Sequence, residues 1–571
     1  MSTHQLFKRK SVQNVLRHSG TDGPSSGISL KRNLRLIDLT AFGIAAIIGA
    51  GIFSTVGNAA FSGGPAVTFL FIFTAIACAF SALCYAEFAS VIPISGSAYT
   101  YAYVSFGELL AWMIGWVLIL EYAVGNIAVA ISWSGYFTGL LAGFGIIIPD
   151  FLTIDYFTAL NTHHEAAELL ASGNSLINLP QFMQDAYTTV ENAPKIANIP
   201  VVLNLPAFCI VALITVLVYL GIQKSKRVNN IMVVIKILVL LLVIIVGAFY
   251  VQPDNWTPFM PNGFSGVFMG VGAVFFAYIG FDAISTTAEE CKHPQRDLPR
   301  AMILALLITS ILYVIVALIL TGVVHYSELA VSDPLAFAFE KLGLSKFSGF
   351  IAFGAVIAMT GVLLVFQMGQ PRIWMSMSRD GLLPEKFSKI HPRHRTPSFS
   401  TIITGMMVGI PALFMNLTKV TDLTSIGALF AFAIVCAGVI VIQQQKRKGT
   451  GIFPKSNFNI PYINSRYIII VVWIVSAMAS VITIDFSQLQ SIVLEMPNLL
   501  FLIVAAIISV AAIIFKWSLI PILGLLINLY LMSRLDASTW ESFLGWLLIG
   551  LIVYLMYGYR KSKLKEKKQF V

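Results

Sequence analysis

Lys236 is the residue of this chain whose chemistry stands out most clearly, because it interrupts an apolar run that extends from Ile231 to Ile245. A charged amine at that depth in a membrane must face the protein interior and find hydrogen-bond acceptors, or give up its proton. We therefore predict that Lys236 carries protons or holds backbone carbonyl groups as a fixed ammonium. Both roles argue against coupling to sodium ions. The alternative is a lysine whose stem reaches the cytoplasmic surface.

A second ionisable group, Glu121, lies in the middle of another apolar segment. Its carboxylate can pair with Lys236, hold a water molecule or sense a substrate, and with Lys236 it is the candidate for proton coupling. A structural hydrogen bond between helices is an equally good interpretation of Glu121. Glu87 and Asp282 lie nearer the cytoplasmic ends of their segments. Contacts at a gate or a helix cap suit those two carboxylates better than substrate binding.

Glycines interrupt two further apolar segments that are long enough to cross a bilayer. The first interruption contains Gly49 and Gly51, and the second contains Gly280. A helix that unwinds inside a bilayer exposes N–H and C=O groups, and each is costly in lipid unless it lines a cavity or binds a ligand. One interrupted segment in each half of a membrane domain is the best sequence indication of a transporter binding site near the bilayer midplane. Tight packing of helices through small residues is the alternative explanation.

The chemistry of an interrupted helix matches an amino acid zwitterion. Free N–H groups at the start of the downstream half-helix suit a carboxylate, and free carbonyl groups at the end of the upstream half suit an ammonium. The residues predicted to contact substrate through such groups are Ile47, Gly49, Ala50 and Gly51 in the first interruption, and Phe276, Ala277 and Ile279 in the second.

The composition indicates that a membrane surrounds these segments. Hydrophobic residues make up 57% of the 571 residues, charged residues only 11%, and mean hydropathy is +0.83, which excludes an ordinary soluble globular protein. Runs of about 20 apolar residues recur, as a bilayer core demands. An all-α integral membrane protein with fourteen transmembrane helices is predicted, at 36–60, 66–92, 106–142, 203–221, 229–250, 263–289, 300–323, 346–378, 398–416, 422–444, 467–485, 498–515, 518–533 and 540–559.

The positions of lysine and arginine orient these helices, because cytoplasmic loops are enriched in both residues. With the N-terminus inside, 31 of the 37 lysines and arginines fall on the cytoplasmic side and Lys236 lies within a helix. The few on the outside are Lys195, Lys341, Lys346, Lys419 and Arg534. The net charge of +10 is therefore a topology signal, in which basic cytoplasmic tails face anionic lipid, and it does not indicate nucleic-acid binding.

The order of the predicted helices indicates two inverted repeats of five helices each. Repeat one, 36–250, starts from the inside, and repeat two, 263–445, starts from the outside, each with its interrupted segment first. Together they form a transport core at 36–445, whose long acidic exterior loop at 143–202 is interpreted as a solvated cap with a short helix near His163. The remaining regions are a basic tail at 1–35, a cytoplasmic loop at 446–466, four additional helices at 467–559 and a basic tail at 560–571.

Several motifs resemble the amino acid–polyamine–organocation superfamily. They include Asp-Leu-Thr-Ala-Phe-Gly at 38–43, Gly-Ala-Gly-Ile-Phe at 49–53 and Ser-Ala-Leu-Cys-Tyr-Ala-Glu-Phe at 81–88. The run Gly-Glu-Leu-Leu-Ala-Trp-Met-Ile-Gly-Trp-Val-Leu-Ile-Leu-Glu-Tyr at 107–122 narrows the resemblance to the cationic amino acid transporter branch. Met-Ser-Arg-Asp-Gly-Leu-Leu-Pro at 377–384 is similar to that branch as well. The resemblance covers nearly the whole chain.

The resemblance implies a five-plus-five inverted repeat with alternating access, and substrate held by the backbone of the two interrupted helices at the positions named above. It places the family's fifth-helix lysine at Lys236, which in bacterial relatives accompanies sodium-independent, proton-coupled uptake. Phe366 falls near the position at which relatives set the size of the substrate pocket, and its ring would disfavour arginine. Ala50 replaces a hydroxyl residue found in some relatives and removes a side-chain contact to the carboxylate. The branch name therefore does not establish the substrate.

The sequence thus predicts a secondary transporter that imports amino acids across the plasma or inner membrane, with both termini in the cytoplasm. An amino acid, a proton as coupling ion and the lipid bilayer are the expected partners. No cofactor, metal or nucleic acid is expected, and a small membrane-protein partner is left open. The alternatives are an amino acid or polyamine exchanger of the same superfamily, a channel, or a sensor that binds without transport. An enzyme is not expected, because only Lys236 and Glu121 are placed for catalysis at membrane depth.

Overall fold

Helices dominate the architecture, as the recurring apolar runs predict. The computed structural model describes residues 8–10, 33–94, 96–172, 174–176, 179, 181–197, 199–221, 226–394, 396–449, 458–474 and 496–563. Within those residues, nine helical stretches are long and apolar enough to cross a membrane, and three shorter apolar helices accompany them. The all-α membrane fold predicted from the sequence is confirmed at this level.

The first part of the chain carries the first interruption and a segment outside the membrane helices. Its elements are α1 (Leu36–Ile47), α2 (Val56–Gly63), α3 (Val67–Val91), α4 (Ser97–Ser105), α5 (Glu108–Gly143), α6 (Tyr156–Ala171), α7 (Gln181–Asn192), β1 (Lys195–Ile196), β2 (Ile199–Pro200), α8 (Leu205–Leu220) and α9 (Lys226–Ala248).

The second part carries the second interruption and the additional C-terminal helices. Its elements are α10 (Gly263–Met269), α11 (Val271–Tyr278), α12 (Pro294–Val323), α13 (Pro334–Lys341), α14 (Ser345–Arg379), α15 (Ser398–Ala412), α16 (Leu417–Lys448), α17 (Met496–Phe515), α18 (Leu519–Ser533) and α19 (Ala537–Val553).

The observed helices differ from the predicted spans in informative ways. The predicted sixth span, 263–289, consists of α10, α11 and a stretch of tight 3₁₀ turns at Phe281–Glu290 rather than one helix. The predicted third span is α5, with the separate short helix α4 before it. Most of the predicted eleventh span, 467–485, lies outside the described residues. The count of fourteen and the inverted repeat therefore stay predictions.

Helix α5 is the central element, since it packs against α8, α14 and α16 and most of its length is buried. Helix α12 packs against both the interrupted helix α1 and α3. Helix α19 is attached to α5 through indole groups. The Nε1 of Trp112 donates to the Gly550 carbonyl at 2.8 Å, and Trp116 and Trp546 exchange Nε1–carbonyl hydrogen bonds.

The segment between α5 and α8 folds as a small unit of its own. Helices α6 and α7 and the antiparallel pair β1–β2 surround a buried cluster of Ala159, Val190, Ala193 and Val202. The short helix predicted near His163 is thus part of a larger helical hairpin. The Asn416 side-chain amide donates to the Thr158 hydroxyl at 2.6 Å and joins this unit to the start of α16.

Asp155 gives this unit a predicted dependence on pH. Its carboxylate caps α6 by accepting from the Thr158 amide at 2.8 Å, and burial raises the pKa of Asp155 to about 6 despite that bond. Because the folded unit then binds a proton more tightly than the unfolded chain does, its stability falls as the pH rises from about 4 to about 6. We expect Asp155→Asn, which keeps a capping oxygen without the charge, to remove that loss.

Hydrogen exchange of residues 156–171 in the full-length protein tests this prediction. At pH 7.5 the Asp155→Asn variant is expected to protect α6 at least as well as the unsubstituted protein, and the two are expected to converge near pH 4. Weaker protection of α6 in the variant at pH 7.5 would contradict the destabilising role of the ionised carboxylate.

Candidate functional site

The first interruption lies between α1 and α2, where the sequence places Gly49 and Gly51. Helix α1 ends at Ile47, and Ile48 is extended with φ −73° and ψ 102°. Helical geometry resumes near Ala50 with a wide π-helical turn at Gly51–Thr55. The amides of Gly49, Ala50 and Gly51 therefore stand at the start of the downstream half-helix, where N–H groups have no partner within the helix.

The second interruption follows α11 and has a different geometry. Helix α11 ends at Tyr278, Ile279 is extended with ψ 140°, and Gly280 has φ 122°. A side chain at that φ would be strained, so glycine is required for the chain to turn there. The carbonyls of Phe276 and Ala277 lie in the last turn of α11, the end of a helix where carbonyls lose their i+4 donors, and the Phe276 carbonyl accepts from the Ile279 amide at 3.2 Å.

The two interruptions contact each other directly. A Cβ atom on Gly51 would lie 2.2 Å from the Ala277 Cα, and a Cβ on Gly280 would lie 2.9 Å from the Ala46 carbonyl carbon. Glycine at these positions is what allows the two backbones to approach. The structure thus brings together the predicted binding residues of both interruptions, and Ile47, Ala50, Phe276, Ala277 and Ile279 are all buried.

Gly49 faces a different neighbour from Gly51. A Cβ atom on Gly49 would lie 2.6 Å from the Cγ2 atom of Val362, on α14. Phe366 lies one helical turn further along α14, and its ring packs against Tyr122 of α5 with centroids 5.4 Å apart. A Cβ atom on Gly125 would also contact that ring, at 3.1 Å. Phe366 therefore fills the space between α14 and α5 beside the first interruption.

Lys236 reaches the first interruption from α9. Its side chain is fully buried, and its Nζ donates to the carbonyls of Ile48 at 2.8 Å, Ala45 at 3.0 Å and Ala358 of α14 at 3.2 Å. The interpretation of Lys236 as a lysine that reaches the cytoplasmic surface is wrong, because its amine points into the protein and uses its donors there. The ammonium joins α9, α14 and the unwound part of the first segment.

Tyr313 is the residue of this site that the sequence did not single out. Its hydroxyl donates to the Ile47 carbonyl at 2.9 Å, and its side chain is fully buried on α12. Nothing in the sequence separates Tyr313 from the other tyrosines of apolar segments, because only the folded structure places its hydroxyl at the interruption. The carbonyls of Ala45, Ile47 and Ile48 thus all accept hydrogen bonds from side chains.

Glu121 lies in the buried part of α5 but does not pair with Lys236. Neither of its carboxylate oxygens has a hydrogen-bond partner among the described residues, and the Lys236 amine is bonded to carbonyls instead. A Cβ atom on Gly427 would lie 3.7 Å from the Glu121 Cβ, which places Glu121 against α16. The next residue, Tyr122, donates to the Asp282 carboxylate at 3.5 Å, so a second carboxylate lies nearby, after the second interruption.

Ion pairs join several segments at the ends of α3, α14 and α16. The Arg372 guanidinium donates to the Glu290 carboxylate at 2.8 Å, which joins α14 to the turns after the second interruption. Lys10 pairs with Asp380, and the Tyr99 hydroxyl donates to the same carboxylate at 2.6 Å. The Lys446 amine pairs with the buried Glu87 carboxylate at 3.2 Å. The gate or capping role predicted for Glu87 stays a prediction.

Comparison with known proteins shows which family the chain belongs to. Residues 34–508 match the amino acid permease family, and residues 519–562 match the C-terminal region of amino acid permeases. The branched-chain amino acid permease BcaP of Bacillus subtilis (strain 168) is 40% identical over 562 residues, which cover 98% of this chain and 99% of that protein.

Other relatives are named for different substrates. The methylthioribose transporter of the same bacterium is 37% identical, again over 98% of this chain and 99% of that protein. The vacuolar cationic amino acid transporter 4 of Arabidopsis thaliana is 31% identical over 99% of this chain and 97% of its own length. All three are named as permeases or transporters, and none as an enzyme.

Proposed function

This chain belongs to the amino acid permease family and is a multi-pass membrane transport protein, and from that premise we propose that it imports amino acids by alternating access, with protons as the coupling ion and without sodium. The cell membrane is the proposed location, with fourteen helices, two inverted repeats of five and both termini in the cytoplasm. The distribution of lysine and arginine supports that orientation.

The observation that carries the proposal is the contact between the two interruptions. Amides at the start of one half-helix and carbonyls at the end of another meet where Gly51 packs on Ala277. We assign the α-carboxylate to the amides of Gly49, Ala50 and Gly51, because anions bind at helix N-termini. The α-amine is assigned to carbonyls at the ends of the upstream halves, those of Ile47, Phe276, Ala277 and Ile279.

Lys236 supports the choice of coupling ion. Its amine already occupies the acceptor atoms of Ala45, Ile48 and Ala358, so a sodium ion at those carbonyls would have to displace a fixed positive charge. Loss of a proton from Lys236 would weaken its hold on the carbonyls and loosen α9 from α1 and α14. Glu121 is the proposed second group in proton transfer, since its buried carboxylate lacks a partner among the described residues.

The proposed substrates are amino acids with apolar side chains. A relative that covers nearly the whole chain is named a branched-chain amino acid permease, and the Phe366 ring, packed on Tyr122, leaves an apolar surface beside the first interruption. Methylthioribose is the second candidate, favoured by the 37% identity to the methylthioribose transporter. That compound has neither an α-amine nor an α-carboxylate, so it would use the site differently.

Uptake into proteoliposomes that contain the purified protein tests the proposal. The substrate panel comprises leucine, isoleucine, valine, alanine, lysine, arginine, a polyamine and methylthioribose, each with and without an imposed pH gradient. We expect accumulation of the branched-chain amino acids that requires the gradient and does not change when sodium is replaced by choline. Binding without accumulation would favour a sensor. Uptake that occurs only when the vesicles already contain substrate would favour an exchanger.

Phe366→Ala is expected to broaden the substrate range. Removal of the ring opens space between α14 and α5, and a long cationic side chain can then enter. We expect lysine or arginine to compete with leucine uptake about tenfold better in the variant, with leucine transport weakened by a similar factor because its apolar contact is lost. Competition assays in proteoliposomes measure both effects. If the competitors keep the same ranking in the variant, Phe366 does not line the substrate pocket.

A further inference from the structure

Tyr313 occupies a carbonyl that the proposed function assigns to the substrate. The α-amine of an amino acid would use the Ile47 carbonyl, yet that oxygen accepts from the Tyr313 hydroxyl at 2.9 Å. We propose that the Tyr313 hydroxyl stands in for the substrate amine when the site is empty, and so stabilises the empty transporter for its return across the membrane. This inference rests on the proposed function.

Two aromatic neighbours hold the ring of Tyr313 in place. Its ring lies edge-on to Phe71 of α3 with centroids 6.1 Å apart, and edge-on to Tyr278 of α11 at 5.4 Å. Tyr278 is the last residue before the second interruption, and its own hydroxyl donates to the Phe71 carbonyl at 3.0 Å. Tyr313 therefore contacts the first interruption through its hydroxyl and the end of α11 through its ring.

The energetic reason for such a residue is the unwound backbone itself. A buried carbonyl without a donor is costly, and the cost is greatest at membrane depth where water is scarce. Lys236 satisfies the carbonyls of Ala45 and Ile48, and Tyr313 satisfies the carbonyl of Ile47 between them. With both side chains in place, the first interruption does not depend on a bound substrate to satisfy these three oxygens.

This role of Tyr313 would affect exchange and net uptake differently. Exchange of one substrate molecule for another keeps the site loaded in both directions, whereas net uptake requires that the empty protein return. In this proposal the Tyr313 hydroxyl donates to the Ile47 carbonyl only when no substrate amine does so. The bond therefore lowers the free energy of the protein without substrate and leaves that of the protein with substrate unchanged. Its removal is therefore expected to strengthen binding, to slow net uptake and to leave exchange intact.

Tyr313→Phe tests this inference, because it keeps the ring and removes only the hydroxyl. In proteoliposomes that contain the full-length protein, we expect KM for leucine to fall about fivefold to tenfold and Vmax of net uptake to fall by a similar factor. Exchange of external radiolabelled leucine against internal leucine is expected to keep at least half its rate. Tyr554→Phe is the matched control, since its fully buried hydroxyl donates to the Glu108 carboxylate at 3.0 Å and not to a carbonyl of an interruption, and it is expected to change neither mode.

The other possible outcomes would contradict either this inference or the proposed function. Equal loss of exchange and net uptake in Tyr313→Phe, or the same change in Tyr554→Phe, would show a general effect of losing a buried hydroxyl and overturn the inference. Unchanged KM and Vmax in Tyr313→Phe would overturn it as well, while the proposed function would stand on the transport by the unsubstituted protein. If the unsubstituted protein moves no amino acid in either mode, the proposed function itself fails.

Discussion

Lys236→Met is expected to abolish accumulation of substrate driven by a pH gradient while the protein remains folded. Methionine keeps most of the volume of the lysine stem but donates no hydrogen bond to the carbonyls of Ala45, Ile48 and Ala358. We expect the free energy of unfolding to fall by about 3 kcal/mol, because these carbonyls lose a charged donor. Without a titratable amine at this site, the accumulation ratio in proteoliposomes is expected to approach one.

Two controls make this result specific. Lys419→Met removes an exposed lysine from the start of α16 and is expected to leave accumulation unchanged. Exchange of external for internal substrate needs no gradient, and it is expected to persist in Lys236→Met at a measurable rate. Accumulation by Lys236→Met that still follows the imposed pH gradient would contradict the role of Lys236 in coupling.

Gly51→Ala is expected to reduce transport about 100-fold, which makes it the most damaging single-methyl change at the site. The added Cβ would lie 2.2 Å from the Ala277 Cα and 2.5 Å from the Ala277 Cβ, so the two interruptions must move apart. A backbone atom cannot rotate away as the tip of a side chain can, and the displacement separates the amides from the carbonyls that bind the zwitterion. A 100-fold loss corresponds to about 3 kcal/mol, near the upper end for overpacking.

The matched control for this substitution is Gly545→Ala. Gly545 lies within α19, and no atom of another described part of the chain comes within 4 Å of the position of its Cβ, so alanine there is expected to be neutral or slightly stabilising. Rates of uptake by the two variants, measured at equal amounts of monodisperse protein, give the comparison. Normal affinity and rate in Gly51→Ala would mean that the close approach of the two backbones has no part in transport.

Local features of the sequence were enough to predict the interruptions and the interior position of Lys236. Glycines in an apolar segment carry a backbone cost that can be recognised without a structure, and Gly280 indeed has a φ that side chains avoid. A lysine deep in an apolar run must find acceptors, and Lys236 does so at Ala45, Ile48 and Ala358. Both predictions follow from groups that a bilayer cannot solvate.

The partners of those groups required the folded chain. The sequence left open an ion pair between Glu121 and Lys236. In the structure the Lys236 amine instead donates hydrogen bonds to carbonyls of α1 and α14. Tyr313 gave no signal in the sequence, because a tyrosine in an apolar helix is usual and its hydroxyl finds Ile47 only through the packing of α12 on α1. The contact of Gly51 with Ala277 likewise joins residues that are far apart in the chain.

The central claim is that backbone groups of the two interruptions bind the amine and the carboxylate of an amino acid. Calorimetric titration of the purified protein with leucine, N-acetylleucine and leucinamide tests it most directly, because the side chain is the same in all three. We predict that leucine binds and that each blocked derivative binds at least about 100-fold more weakly, since each loses hydrogen bonds to a charged group. Equal affinity for leucine and either derivative would contradict the claim.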